Sequence, residues 1–208
     1  MRHPDWPAFL AAIIAEPDDD TPRLVAADFL EEHGEPDRAA FVRVQIDLAR
    51  LEASELAQSQ EAGDLRKKER AFLGPKSDHA PLWAAEECSE LVRVVPHGRA
   101  SSPLARIKVE GTERLVWRRG FVEEVLCPAA EWLRHGIAVR ARNPVRDVFL
   151  TGGENVNRDT WYAGLDALRG LRSIGLEVER TGAVTTVQEL AHWLSGWLPG
   201  TDVNWLPF

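Results

Sequence analysis

The chain has 208 residues, 44% hydrophobic and 28% charged, with a formal net charge of −8. Such values belong to an ordinary globular protein rather than a disordered, fibrous or membrane one, and a chain of this length buries roughly 70% of its unfolded surface without a metal or disulfide staple. The acidity is N-terminal: residues 1–80 hold 17 acids against 10 bases and residues 81–208 hold 16 against 15, so the chain as a whole is not steered toward phosphate backbones.

Cys88 and Cys127 form no C-x-x-C pair, which suggests neither a zinc knuckle nor a disulfide framework and points to a reducing, cytoplasmic home. The apolar run Phe9 to Ala15 is too short for a secretion signal, and no stretch has the length of a membrane span.

Trp6, Phe9, Leu10, Ile13 and Ile14 recur at helical spacing before Pro17, predicting a first helix over 5–15. A second starts at Asp18-Asp19-Asp20-Thr21-Pro22, where short acidic side chains can cap the helix and the proline lacks only an N–H that the first turn leaves unpaired. The competing reading of three aspartates as a metal site lacks the remaining ligands of a calcium loop. His33-Gly34 with Pro36 beyond closes this helix. A third helix starts near Pro36 and runs into the polar segment 54–62, with its later turns exposed. After Gly63 a fourth turns back on it, and 79–90 with Trp83 forms a fifth.

The run from Phe9 to Gly34, with its acidic cap and Ala27-Asp28-Phe29-Leu30-Glu31-Glu32, followed by Phe41-Val42-Arg43-Val44-Gln45, resembles the bacterial, planctomycete-type repeat-companion domain family over about residues 6–50. Phe29 stands where an indole is frequent, and Ala39-Ala40 where Gly-Glu often precedes the aromatic. The resemblance implies a helical unit found beside repeat regions, including leucine-rich ones, and carries over no catalytic residue. Asp28, between Ala27 and Phe29, reads as a buried carboxylate with a structural donor, Arg38 or Arg43. On that reading Asp28→Ala lowers the melting temperature.

In the C-terminal half Leu104 to Val109 and Arg114 to Trp117 flank Glu110-Gly111-Thr112-Glu113 as a hairpin that could cap a stack of later strands. Then a spacing repeats: Val122-x-x-Val125-x-Cys127, Val145-x-x-Val148-x-Leu150 and Leu171-x-x-Ile174-x-Leu176, with a looser Val203-x-x-Leu206-x-Phe208. Helical stretches over 129–142, 160–168 and 187–197 lie between. Strand, return helix and a period of 20–29 residues are the pattern of a leucine-rich repeat, although the Asn or Cys that usually follows the strand is absent and an ordinary α/β arrangement stays open. The fold class expected is α+β: a helical repeat-companion domain over 1–78, a connecting helix and β-hairpin cap over 79–120, and a short, irregular leucine-rich-repeat-like α/β stack over 121–208.

Residues between the buried strand positions would face the other side: Glu124, Leu126, Asp147, Phe149, Thr151, Ser173 and Glu177. Leu126 and Phe149 would there need a cover, either the chain's own helices or a protein partner. Arg118, Arg119, Arg140, Arg142 and Arg146 offer a local basic patch for nucleic acid as the alternative. Nucleotide, hydrolase and metalloprotease signatures are missing and the six histidines are scattered. His33 and His135 each precede a glycine at an expected helix end, Gly152-Gly153 suits a turn after a strand, and Cys127 suits a packing position. These observations together predict a non-enzymatic interaction module, a scaffold or accessory subunit, with no metal, cofactor or membrane.

Overall fold

The computed structural model describes residues 3–74, 77, 79–96, 107–110, 114–178 and 184–207. It has an α+β fold in which an N-terminal helical region precedes a C-terminal mixed sheet layered with helices. The helices are α1 Trp6–Ala15, α2 Thr21–Glu32, α3 Pro36–Glu52, α4 Gln60–Leu73 and α5 His79–Glu87. None of the described helices is long and apolar enough to cross a membrane.

Local chemistry sets the helix ends. The Asp19 carboxylate accepts the Thr21 N–H at 2.8 Å, and α2 stops at His33, followed by Gly34 at φ +85°. The third helix ends sooner than its sequence suggests. Ser54 and Ser59 hydroxyls accept the Leu56 and Ala62 N–H groups, so a 3-10 turn and a fresh α4 replace the expected continuation, and Gly63 lies inside α4.

Buried residues of α3 recur at three and four positions: Arg38, Ala39, Phe41, Val42, Gln45, Ile46 and Leu48. Ala39, Val42 and Ile46 join Trp6, Leu10, Ile13, Ala26, Ala27 and Leu30 in one core, and the side chain that completes it is Phe121, from the C-terminal half.

Strands β1 Arg93–Pro96 and β2 Ile107–Glu110 form a separate antiparallel pair. This corrects the expected hairpin, because 107–110 pairs with 93–96 rather than with 114–118; residues 104–106 and 111–113 of that expectation lie outside the described residues. The hairpin is instead β3 Arg114–Arg118 with β4 Phe121–Pro128, closed by Arg119 (φ +48°) and Gly120 (φ +87°). Two residues at positive φ make the turn whose twist matches paired strands.

The main sheet has the order β3-β4-β5-β6-β7, with β5 Asp147–Thr151, β6 Ser173–Val178 and β7 Asp202–Pro207, antiparallel at β3/β4 and parallel from β4 onward. Helices α6 Ala129–Arg140, α7 Arg158–Gly164 and α8 Val184–Trp197 make the crossovers. The repeated spacing is the register: Val125 pairs with Val148 and Val148 with Ile174, Cys127 with Leu150 and Leu150 with Leu176. All six are buried in one core with Trp132, Trp161 and Leu194 of the three helices, so the helices cover one face of the sheet.

The fourth copy is out of step with its spacing. Val203 pairs with Ile174 and Trp205 with Leu176, so Val203 takes the second motif position and Gly200 stands at the first; Phe208 lies outside the described residues. His135-Gly136 marks no helix end either, since α6 continues to Arg140. Gly136 is there for space: a Cβ would stand 2.8 Å from Trp132 Cε2 and 3.1 Å from Ala167 Cβ.

Candidate interaction face

Alternation along a strand sends every second side chain to the face without helices. Three rows result. Glu124, Asp147, Ser173 and Asp202 stand in register, then Leu126, Phe149, Gly175 and Asn204, and then Thr151 beside Pro128 and Glu177 beside Leu206. All seven residues expected on this face are thus strand neighbours, and Leu126 and Phe149 lie side by side, both half-buried. Gly175, which sequence reasoning passed over, supplies the shelf for the ring: a Cβ there would come within 2.4 Å of Phe149 Cδ1. The aromatic ring covers backbone that a larger residue would fill.

The first row is charged and internally matched. Arg118 Nη2 donates to Glu124 at 3.1 Å. Arg172 grips Asp147 through Nε, at 3.0 Å, and Nη2, while the Ser173 hydroxyl donates to the same carboxylate at 2.7 Å. Burial alone would raise the Asp147 carboxyl, but the hydrogen bonds from Arg172 and Ser173 outweigh it and hold the group below the ordinary carboxylate range. A depressed folded value means the stabilisation is complete above the unfolded value, roughly 3.9, and lost as pH falls through the folded value. The urea midpoint is therefore expected to stay level from neutrality toward pH 5 and to drop below about pH 4, with Asp147→Asn removing part of that drop. A midpoint in Asp147→Asn that falls as steeply as in the parent chain would show that Asp147 contributes nothing to it.

Each of the five arginines considered for nucleic acid has a partner within the chain, and Arg118, Arg119 and Arg146 line one depression with Asp18 and Glu123. Arg119 reaches Glu123 at 3.3 Å and Asp18 at 3.7 Å, Arg142 pairs with Glu90, Arg146 with Asp18, and Arg140 Nη1 donates to the carbonyls of Ala167 at 3.2 Å and Arg169 at 2.7 Å. The acidic run before α2 therefore does more than cap: Asp18 and Asp20 face arginines across the junction, and Arg146 with Arg119 holds the Asp18 carboxyl below its ordinary range.

Asp28 is corrected. Its donor is Arg43, at 2.7 Å, but its side chain is 70% exposed because it lies on the outer face of α2. Such a pair contributes at most about 1 kcal/mol. Arg38 is instead the buried cation: it pairs with Glu87 at 3.3 Å, and its guanidinium carbon lies 4.7 Å from the ring centres of both Trp83 and Trp117.

The junction residues that sequence reasoning missed are Arg23, Gln45, Gly120 and Glu123. Gln45 accepts the Gly120 N–H at 2.7 Å and donates to the Trp117 carbonyl at 3.0 Å and to Glu69 at 2.8 Å, so α3 grips the tip of the hairpin. Glu123, 2% exposed, takes Arg23 at 2.8 Å and Arg119 at 3.3 Å. Phe41, Val42 and Gln45 therefore meet the hairpin, while Arg43, between them in sequence, turns to Asp28 and Glu31 of α2.

No three His, Cys, Asp or Glu side chains gather among the described residues as metal ligands. Cys127 packs in the core as expected, and the Cys88 thiol is pushed up to about 12, by burial first and by Glu87 next, far from nucleophilic poise. Gly152, at φ +64°, forms the turn after β5.

No protein-family model, curated protein or solved structure matches the chain.

Proposed function

We propose that the protein is a non-catalytic interaction module, a scaffold or accessory subunit, in which a helical unit of the repeat-companion type caps a short leucine-rich-repeat-like stack. The sequential parallel order β4-β5-β6-β7, with its crossover helices all on one face, supports the repeat reading. The observation that carries the functional reading is the pair Leu126 and Phe149, in register and half-exposed on the helix-free face, among Glu124, Asp147, Thr151, Ser173 and Glu177. An apolar centre within a polar rim is the usual anatomy of a protein-binding patch. Arg118 and Arg172 already neutralise two of the carboxylates, so the partner contributes mainly apolar contact and meets a face that is not strongly charged.

The test places a photo-cross-linking residue at Thr151 in the native cells, with one at exposed His192 as the control. A protein cross-linked from Thr151, resistant to nuclease, is expected to weaken about thirtyfold with Phe149→Asp, as for a central contact worth roughly 2 kcal/mol. Equal recovery from His192, or undiminished binding by Leu126→Asp and Phe149→Asp, would overturn the reading. Recovery lost with nuclease would replace it with nucleic-acid binding.

A further inference from the structure

A depression lies away from the open face, at the edge where the parallel strands begin. It is a groove of about 560 Å³ between the helical region and the loops that enter β5, β6 and β7, within the size range of small-molecule sites. Ile14 and Ile137 stand on its walls, 36% and 60% exposed, while Arg140, Arg146 and Arg172 line it. Arg172 was no part of the basic patch expected from the sequence; the loop before β6 brings it in beside the other two.

Their charges are not equally matched. Arg146 is paired with Asp18 and Arg172 with Asp147, and Asp166, the acid in the lining, is tied to Arg169 at 3.1 Å. Arg140 has only the two carbonyls, both taken by Nη1, and no carboxylate among the described residues. Its half-buried guanidinium is desolvated without a counter-charge. Gly170, held at φ +73°, lies beside the remaining nitrogen: even a Cβ there would be 3.5 Å from Nη2. A guanidinium with open N–H groups, in a groove with apolar walls, suits an oxyanion on an apolar body.

We infer that this groove binds a small anionic molecule, a phosphate or carboxylate carried on an apolar group, with Arg140 as the principal contact and Arg146 and Arg172 beside it. Arg172 also holds Asp147 of the open face, but Arg140 and Ile137 take no part in that face, so substitutions at these two test the groove alone.

The probe is phenyl phosphate, titrated into the full chain while the amide resonances of Gly170, Gly200 and Thr201 are followed by NMR. A saturable shift is expected with a Kd of about 1 mM, the scale open to so small a ligand, weakening as salt is added. Benzyl alcohol should produce no saturable shift and inorganic phosphate a weaker one. Arg140→Gln should weaken binding about tenfold; since Arg140 also covers two carbonyls, Ile137→Glu, at an exposed helix position, gives the same loss without touching the core. Absence of a saturable shift, response to benzyl alcohol equal to that of phenyl phosphate, or parent affinity in Ile137→Glu would overturn the proposal. So would tighter, more steeply salt-dependent binding of an oligothymidylate, which would make the groove part of a nucleic-acid surface.

Discussion

Gly120→Ala is expected to lower stability by about 3 kcal/mol or more, which for a chain of this size is a fall of roughly 10 °C in Tm. Two effects add. At φ +87° any side chain sits in the left-handed region, costing about 1–2 kcal/mol. The new Cβ would also lie 2.4 Å from Val42 Cγ2 and 2.8 Å from Val42 Cα. Backbone cannot yield as a flexible side chain does, and forced packing of this kind costs about 1–3 kcal/mol. The Gln45 to Gly120 hydrogen bond must lengthen at the same time. Urea denaturation of Gly120→Ala, of Val42→Ala, which by itself removes buried core methyls, and of the pair divides the two: the pair should lose less than the sum of the single variants by the part due to Cγ2 and keep the backbone part. A difference from additivity equal to the whole cost of Gly120→Ala would mean that the left-handed turn costs nothing here, and parent stability in Gly120→Ala would mean that the hairpin tip does not press on α3.

Glu123→Leu is expected to cost about 3–5 kcal/mol, the usual penalty for breaking a buried pair from one side. Arg23 is fully buried, and after the carboxylate is gone it keeps the hydrogen bond to the Asp19 carbonyl at 3.2 Å and the Phe121 ring 5.9 Å away, but no hydrogen-bonded carboxylate among the described residues. Burial already pulls the Arg23 guanidinium below its ordinary value, and Glu123 is the chief influence pulling the other way. Arg119 suffers less, because Asp18 and Asp20 remain at 3.7 and 3.9 Å. Arg23→Met with Glu123→Leu should be more stable than Glu123→Leu alone, since no charge is then stranded. If the double variant is instead the less stable, the pair is not what makes Glu123 matter.

How much of this was legible in the chain depends on the range over which each signal acts. The V-x-x-V-x-L spacing yields the register of β4, β5 and β6 because side-chain alternation is local and each strand repeats the same buried pair. It fails at β7, where Gly200 removes the first apolar marker and Val203-x-x-Leu206 imitates the motif three residues late. The helix starts were readable from Pro22, Pro36 and the acidic run, again local chemistry. The hairpin was misplaced because Glu110-Gly111-Thr112-Glu113 looks like the better turn, whereas Arg119-Gly120 shows only one of its two left-handed residues as glycine. The junction was not legible at all. Arg23 and Glu123 are 100 positions apart and Gln45 and Gly120 are 75, and no periodicity connects residues whose only relation is that two units meet there. Asp28 fails for a related reason: apolar neighbours in sequence do not fix which side of α2 a residue occupies. For the open face, alternation was enough to name all seven residues, but the shelf at Gly175 needs the neighbouring strand to be seen.

The place of Phe121 in the helical core bears on how the chain is made. Translation proceeds at roughly 5–20 residues per second, so the 69 residues from Glu52 to Phe121 take about 3–14 s to synthesise. Throughout that interval α1, α2 and α3 have been made, but the ring that stacks near Trp6 and closes the cluster of Leu10, Ile13, Val42 and Ile46 has not. The nascent helices wait with the place of the Phe121 ring unfilled, and with Arg23 lacking the Glu123 carboxylate. A ribosome that stalls between residues 52 and 121 thus holds α1, α2 and α3 with no finished interior, which is the kind of surface that chaperones and proteases recognise.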